Sequence, residues 1–175
     1  MTVKIVIFSI LALLIFIKFR KELGLFSSHG FYMFFAFESL LALIFLNIGF
    51  WFHGGFSWYQ MLAWILLIAS LLFALSGFYG LKKYGKPIDD CEDTTHLITQ
   101  GIFRYIRHPL YSSLILLNLG IFLKNVTLLS TIACLISTGF LVTASKVEEE
   151  ENYAKFGSAY KEYVMKTKHY FPFIF

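Results

Sequence analysis

Apolar positions in this chain run together instead of alternating with polar ones. No charge interrupts residues 5–17, 58–81, 110–123 or 125–145, and residues 31–52 hold only Glu38. A helix needs roughly 20 such residues to cross a bilayer. The second, third and fifth runs meet that length. The first meets it with Lys4 and Lys18 reaching outward to the interface. The fourth meets it with Pro109 and Lys124 at its rims. The pattern therefore predicts an all-α integral membrane bundle of about five transmembrane helices. The first run is not a secretory signal, because it passes straight into Lys18-Phe19-Arg20-Lys21 with no small-residue cleavage site.

The polar segments divide the chain. His53-Gly54-Gly55-Phe56-Ser57 and Lys124-Asn125 read as tight reversals, so spans two and three, and spans four and five, pair as hairpins. Between the hairpins runs the longest polar stretch, with an acidic patch at Asp89, Asp90, Glu92 and Asp93. Long loops of this kind are commonly functional, and a lid over 82–100 is one such role. Near the end, Tyr153, Phe156, Tyr160, Tyr163 and Val164 recur at helical steps, opposite Lys155, Lys161 and Glu162. That spacing predicts a C-terminal amphipathic helix lying at the interface. One domain over 1–175 is expected. It has three N-terminal spans in 1–81, a cytoplasmic loop in 82–108, and a helical hairpin with the C-terminal helix in 109–175.

Composition strengthens the membrane reading. The chain is 58% hydrophobic and 15% charged, where a soluble domain carries about 25% charge. The basic residues set an orientation. With the N-terminus outside, Lys18, Arg20, Lys21, Lys82, Lys83, Lys86, Arg104, Arg107, Lys146 and the later lysines fall inside. The outer side keeps Lys4 and Lys124. The net charge of +4 thus reflects topology and contact with the lipid bilayer. It gives no basic stripe for nucleic acid. Cys91 and Cys134 fall at different levels on this scheme, and no disulfide is expected between them.

Three groups of residues carry candidate chemistry. Arg104, Arg107, His108 and Tyr111 crowd the start of the fourth span, with Pro109 suited to a first helical turn. Cations at a membrane face are either headgroup anchors or parts of a site, and the tight Arg-His-Pro-x-Tyr arrangement favours a site. Glu148 to Glu151 follow the fifth span. Four successive helical carboxylates cannot share a face, so at most two point at a common site. The tight outer turn of the last hairpin brings this acidic run beside the Arg-His-Tyr cluster. Glu38 is the third candidate, an intramembrane carboxylate able to hold a proton or a cationic substrate. His29, His53, His96, His108 and His169 are too scattered for a metal site to be read from sequence, and none is expected.

Residues 97–111, Leu-Ile-Thr-Gln-Gly-Ile-Phe-Arg-Tyr-Ile-Arg-His-Pro-Leu-Tyr, resemble the signature of the isoprenylcysteine carboxyl methyltransferase family. Glu148-Glu149, Phe156-Gly157, Tyr160, Tyr163 and Pro172 resemble its second half. Phe103 stands where relatives commonly have tyrosine, and His169 where they often have arginine. The resemblance implies S-adenosylmethionine as methyl donor. The cofactor would be held by His96, Leu97, Ile98, Gly101, Tyr105, His108, Tyr111, Glu148 and Glu149. It implies a lipophilic or prenylated acceptor entering from the bilayer, most simply a prenylcysteine carboxylate. Arg107, with Arg104 second, would grip that carboxylate by a two-pronged contact, and His108 completes the catalytic set. The alternative is a phospholipid or another amine or thiol as acceptor, and an amine would need a base, a carboxylate or His108. The rival of another class is an ion-coupled transporter using Glu38.

Overall fold

The computed structural model describes residues 2–52, 57–85 and 96–172. The reversal at 53–56, the acidic patch at 89–93 with Cys91, and the tail residues 173–175 lie outside the described residues. Six helices carry the fold: α1 (Thr2–Phe19), α2 (His29–Asn47), α3 (Trp58–Tyr84), α4 (Pro109–Phe122), α5 (Leu128–Phe156) and α6 (Ser158–Lys166). Three short 3-10 turns accompany them, of which Gly101–Arg104 matters for the site. Among the described residues no strand forms; an isolated parallel bridge joins Ile106 to Lys168.

Among the described residues three helices are long and apolar enough to cross a membrane: His29–Phe50, which is α2 with its 3-10 extension, then α3 and α5. Of the five runs expected to span, three are helices of spanning length among the described residues, and α4 is a shorter apolar helix. At 14 residues, α4 reaches about 21 Å, short of a hydrocarbon core of roughly 30 Å. The apolar faces of α1 and α3 point outward, with Ile5, Leu13, Ile17, Ile65, Leu72 and Phe78 exposed. In a membrane protein those are the surfaces that lipid covers.

Side-chain oxygens start the helices where expected. Ser28 accepts from the Phe31 amide at the head of α2, and Thr127 accepts from the Ser130 amide at the head of α5. α1 lies on α2 through ring contacts, Phe8 against Phe45 and Phe16 against Phe34. The main packing pairs α2 with α5 and α3 with α4.

Between α2, α4 and α5 the contacts are small and polar. Asn118 donates to Ser137 Oγ at 2.8 Å, and Ser137 donates to the Ala36 carbonyl at 3.0 Å. Ser130 donates to Asn47 at 3.2 Å. All four polar side chains are buried. In an apolar surround such bonds hold helices where hydrophobic burial offers no driving force. At the end of the bundle away from Arg107, Gln60 donates to the Lys124 carbonyl, and Lys124 donates back to Gln60 Oε1. The Lys124 ammonium also stands 3.8 Å from the Trp64 ring centre. This closes α3 onto the α4–α5 turn.

The C-terminal half departs from the sequence reading in one respect. Tyr153 to Val164 do not form one amphipathic helix. α5 continues through the acidic run to Phe156, and the chain breaks at Gly157, with φ +56° and ψ −125°. That region is accessible essentially to glycine alone. The break swings α6 back, so that Tyr160 and Tyr163 are buried.

Gly80 in α3 marks a close approach: a Cβ there would lie 2.8 Å from the Phe103 ring. Gly80→Val is expected to destabilise the fold by about 1–3 kcal/mol through overpacking. Gly139, with nothing within 4 Å of its Cβ direction, is the control. Gly139→Ala should raise stability by about 0.5–1 kcal/mol. Thermal unfolding of the two variants in detergent should move in opposite directions.

Candidate functional site

The site forms where the segment before α4, the C-terminal part of α5 and the segment after α6 meet. Main-chain bonds zip the first and last together. Lys168 donates to the Tyr105 carbonyl, Arg107 to that of Lys168 and His108 to that of His169, at 2.9–3.1 Å. Ser112 donates to the Tyr170 carbonyl at 2.5 Å. Ser145 bonds the Tyr170 hydroxyl. Tyr163 donates its hydroxyl to the Phe103 carbonyl at 2.7 Å. Burial pushes the Tyr163 and Tyr160 phenols well up from their ordinary range, so both remain neutral donors.

Inside this seam lies an ion-pair cluster. Arg107 Nε donates to Glu149 Oε1 at 2.6 Å. Its Nη1 donates to the Thr167 carbonyl at 2.6 Å, and its Nη2 meets His169 Nδ1 at 3.3 Å. His108 Nε2 and His169 Nδ1 each lie 3.4 Å from the same Glu149 oxygen. The side chains of Arg107, Glu149 and His108 are 10%, 18% and 3% exposed. Burial lowers His169 to about 4, with His108, Arg107 and Lys146 adding to the effect and Glu149 opposing it. The imidazole is therefore neutral at physiological pH.

His108, Glu149 and His169 place ligand atoms within 4.8 Å of one another, a grouping that could hold a metal ion. Sequence spacing did not suggest it. The Arg107 guanidinium already sits against two of these three groups. A second cation would have to displace it from Glu149 or share its oxygen, so the arrangement reads as a cage for Arg107.

A small cleft opens in front of the cluster, between Leu81, Phe103, Arg107, His108, Tyr111 and Glu148. Glu148 turns one carboxylate oxygen into the protein with no hydrogen-bond partner. The nearest nitrogens to that oxygen are His108 Nδ1 at 3.8 Å and His29 Nε2 at 4.0 Å. His29 also bonds the Tyr111 hydroxyl. The predicted division of the acidic run holds: Glu148 and Glu149 face inward, while Glu150 and Glu151 are exposed.

The residues predicted for the cofactor are not all in one place. His108, Tyr111 and Glu148 line the cleft, with Glu149 directly behind. Gly101 and Tyr105 instead border a separate, mostly apolar groove of about 530 Å³ against Leu75, Ser76, Tyr79 and Gly80 of α3. Phe103, packed on Gly80, borders the cleft beside that groove. Ile98 is buried, Leu97 half-buried and His96 exposed. Arg104 is exposed and does not line the cleft. Glu38 lies nine residues beyond His29 on α2, about 13 Å along the helix, and takes no part in the cluster.

His29, Thr167, His169 and Tyr170 enter the site without having been assigned to it from sequence. His29 had a usable signal. It opens the second span at the end that the basic residues mark, the same end as Arg107.

Residues 58–159, more than half of the chain, match the phospholipid methyltransferase family. The chain belongs to that family, so it is an integral membrane methyltransferase. The matched segment contains the Arg107-His108 cluster, Tyr111 and both inward glutamates. Comparison with curated proteins and with solved structures gave no match. Family membership leaves the transporter reading of Glu38 without support.

Removing one side of the buried pair leaves the other charge stranded. Arg107→Ala should cost about 3–5 kcal/mol, whereas an Arg107→Met/Glu149→Leu double variant should recover most of that loss. Chemical unfolding of both in detergent tests it. A pH dependence also follows. His169 is harder to protonate folded than unfolded, so the unfolded chain binds the extra proton as pH falls from about 6.5 towards 4. Its contribution, on the order of 2–3 kcal/mol, is complete above that window and lost within it. The melting temperature of His169→Asn should lack this acid-side fall.

Proposed function

We propose that this protein transfers a methyl group from S-adenosylmethionine to the amine of a phospholipid headgroup. The observation that carries the reading is the charge left open in the cleft. Arg107 has all three guanidinium nitrogens engaged by Glu149, Thr167 and His169. The polar group without a partner is the Glu148 carboxylate. Such a cleft attracts a cation and repels a carboxylate. That argues for an amine acceptor over the prenylcysteine carboxylate, which needs a free cationic grip.

Methyltransferases of this family generally use S-adenosylmethionine, which supplies a methyl group already activated on a positively charged sulfur. The residues present fit such a molecule. The orphaned Glu148 oxygen suits a cationic or hydroxyl-bearing portion, and His108 Nδ1 beside it offers a further polar contact. Glu149, neutralised by Arg107, holds His108 in place. The chain's work is to align the acceptor nitrogen with the methyl group and to exclude water. Lipid enters from the side, and the site lies at the end of the bundle where Lys18, Arg20, Lys21, Lys82, Lys83 and Lys146 gather. By the positive-inside rule that end is cytoplasmic, with the N-terminus outside. With α1 and α4 embedded beside the three longer helices, the bundle has five membrane helices.

The test uses purified full-length protein in vesicles containing phosphatidylethanolamine, with labelled S-adenosylmethionine. Label is expected in the lipid, and Glu148→Gln should lower the rate by about 10²-fold or more, in line with lost electrostatic positioning. Labelling of a prenylcysteine but not of the phospholipid would refute the amine reading. Calorimetry with folded protein that shows no saturable S-adenosylmethionine binding would refute the cofactor.

A further inference from the structure

His29 lies outside the segment that matches the family, at the first turn of α2. Its position is well fixed: Ser28 caps the helix immediately before it, and its Nε2 bonds the hydroxyl of Tyr111. Tyr111 is 5% exposed and lines the cleft, with the His108 ring set edge-on at 5.4 Å. The His29 side chain is 24% exposed. One end of this pair therefore faces the cleft and the other reaches solvent. The titratable groups around His29 are Tyr111 from α4, Glu148 from α5 at 4.0 Å, and His108 beyond Tyr111. The Glu22 carboxylate lies over the neighbouring Gly30.

An aliphatic ammonium keeps its proton near neutral pH, and without a lone pair its nitrogen cannot attack a methyl group. We infer that Tyr111 and His29 form a proton relay that deprotonates the acceptor amine. The inference rests on the amine reading above. The ammonium proton passes to the Tyr111 oxygen as the hydroxyl's own proton passes to His29 Nε2. The freed nitrogen pair forms the new N–C bond while the C–S bond of S-adenosylmethionine breaks and its electron pair stays on sulfur. The imidazolium so formed stands 4.0 Å from the Glu148 oxygen that otherwise lacks a partner. It returns its proton to water through the exposed edge of the ring. Histidine suits the task because its protonation changes close to working pH.

The experiment measures kcat against pH for the full-length protein, His29→Gln and Tyr111→Phe in phosphatidylethanolamine vesicles, with S-adenosylmethionine affinity measured by calorimetry on each. Both variants should lose about 10²-fold in kcat at pH 7, well beyond any loss of S-adenosylmethionine affinity. Both should approach the unmodified protein as pH rises towards the ammonium's own pKa, because free amine needs no relay. Tyr111→Phe keeps the ring packing and removes only the hydroxyl, so it reads the relay even if His29→Gln folds poorly. Unchanged rates, or losses of rate and affinity that run in parallel at every pH, would overturn the relay while leaving the amine reading intact. If the unmodified protein binds S-adenosylmethionine but leaves the phospholipid unmethylated, the amine reading falls and the relay with it.

Discussion

A single carboxylate oxygen organises this site. Glu149 Oε1 has Arg107 Nε, His108 Nε2 and His169 Nδ1 all within 3.4 Å, and the four side chains come from three parts of the chain. Arg107 and His108 precede α4, Glu149 is on α5, and His169 follows α6. Buried charge is tolerable only when its neighbours satisfy it, so the three segments must close on one another to exist as they do. The main-chain zipper between 105–108 and 168–170 supplies the rigidity, and the Gly157 break supplies the direction.

This arrangement divides labour between adjacent glutamates. Glu149 is spent on Arg107 and holds the frame. Glu148, one residue earlier and so about 100° around the helix, lines the cleft with one oxygen that accepts no hydrogen bond. The pair shows how a run of like charges, unremarkable as a solvated collar, yields one ion-paired residue and one cleft-lining residue once a helix passes through it. The cluster is basic in sequence, yet the carboxylate that lines the cleft belongs to Glu148.

The membrane class, the helical hairpin of α4 and α5 and the meeting of the Arg-His-Tyr cluster with Glu148 and Glu149 were all legible in the sequence. They follow from long-range hydropathy and from the shortness of one turn. The commitment of Arg107 was not legible, because it depends on Thr167 and His169, which reach the site only after the chain reverses at Gly157. Periodicity alone joined Tyr153 to Tyr163 in one helix, since a glycine between helical repeats leaves the spacing nearly intact. Gly101 and Tyr105 share the signature with His108 yet face another groove, because the 3-10 turn Gly101–Arg104 and the buried Phe103 ring part them. His29 was passed over as a lone histidine, although the parity of the spans already assigned it to the right end.

The zipper between 105–108 and 168–170 also bears on biosynthesis. Arg107 is made some 60 residues before Thr167 and His169. Until Glu149 is made the guanidinium has none of its three side-chain and carbonyl partners, and until Thr167 and His169 follow it has one of them. The ion-pair cluster at this end of the bundle is therefore completed only by the last residues of the chain, after every helix that frames it has been made.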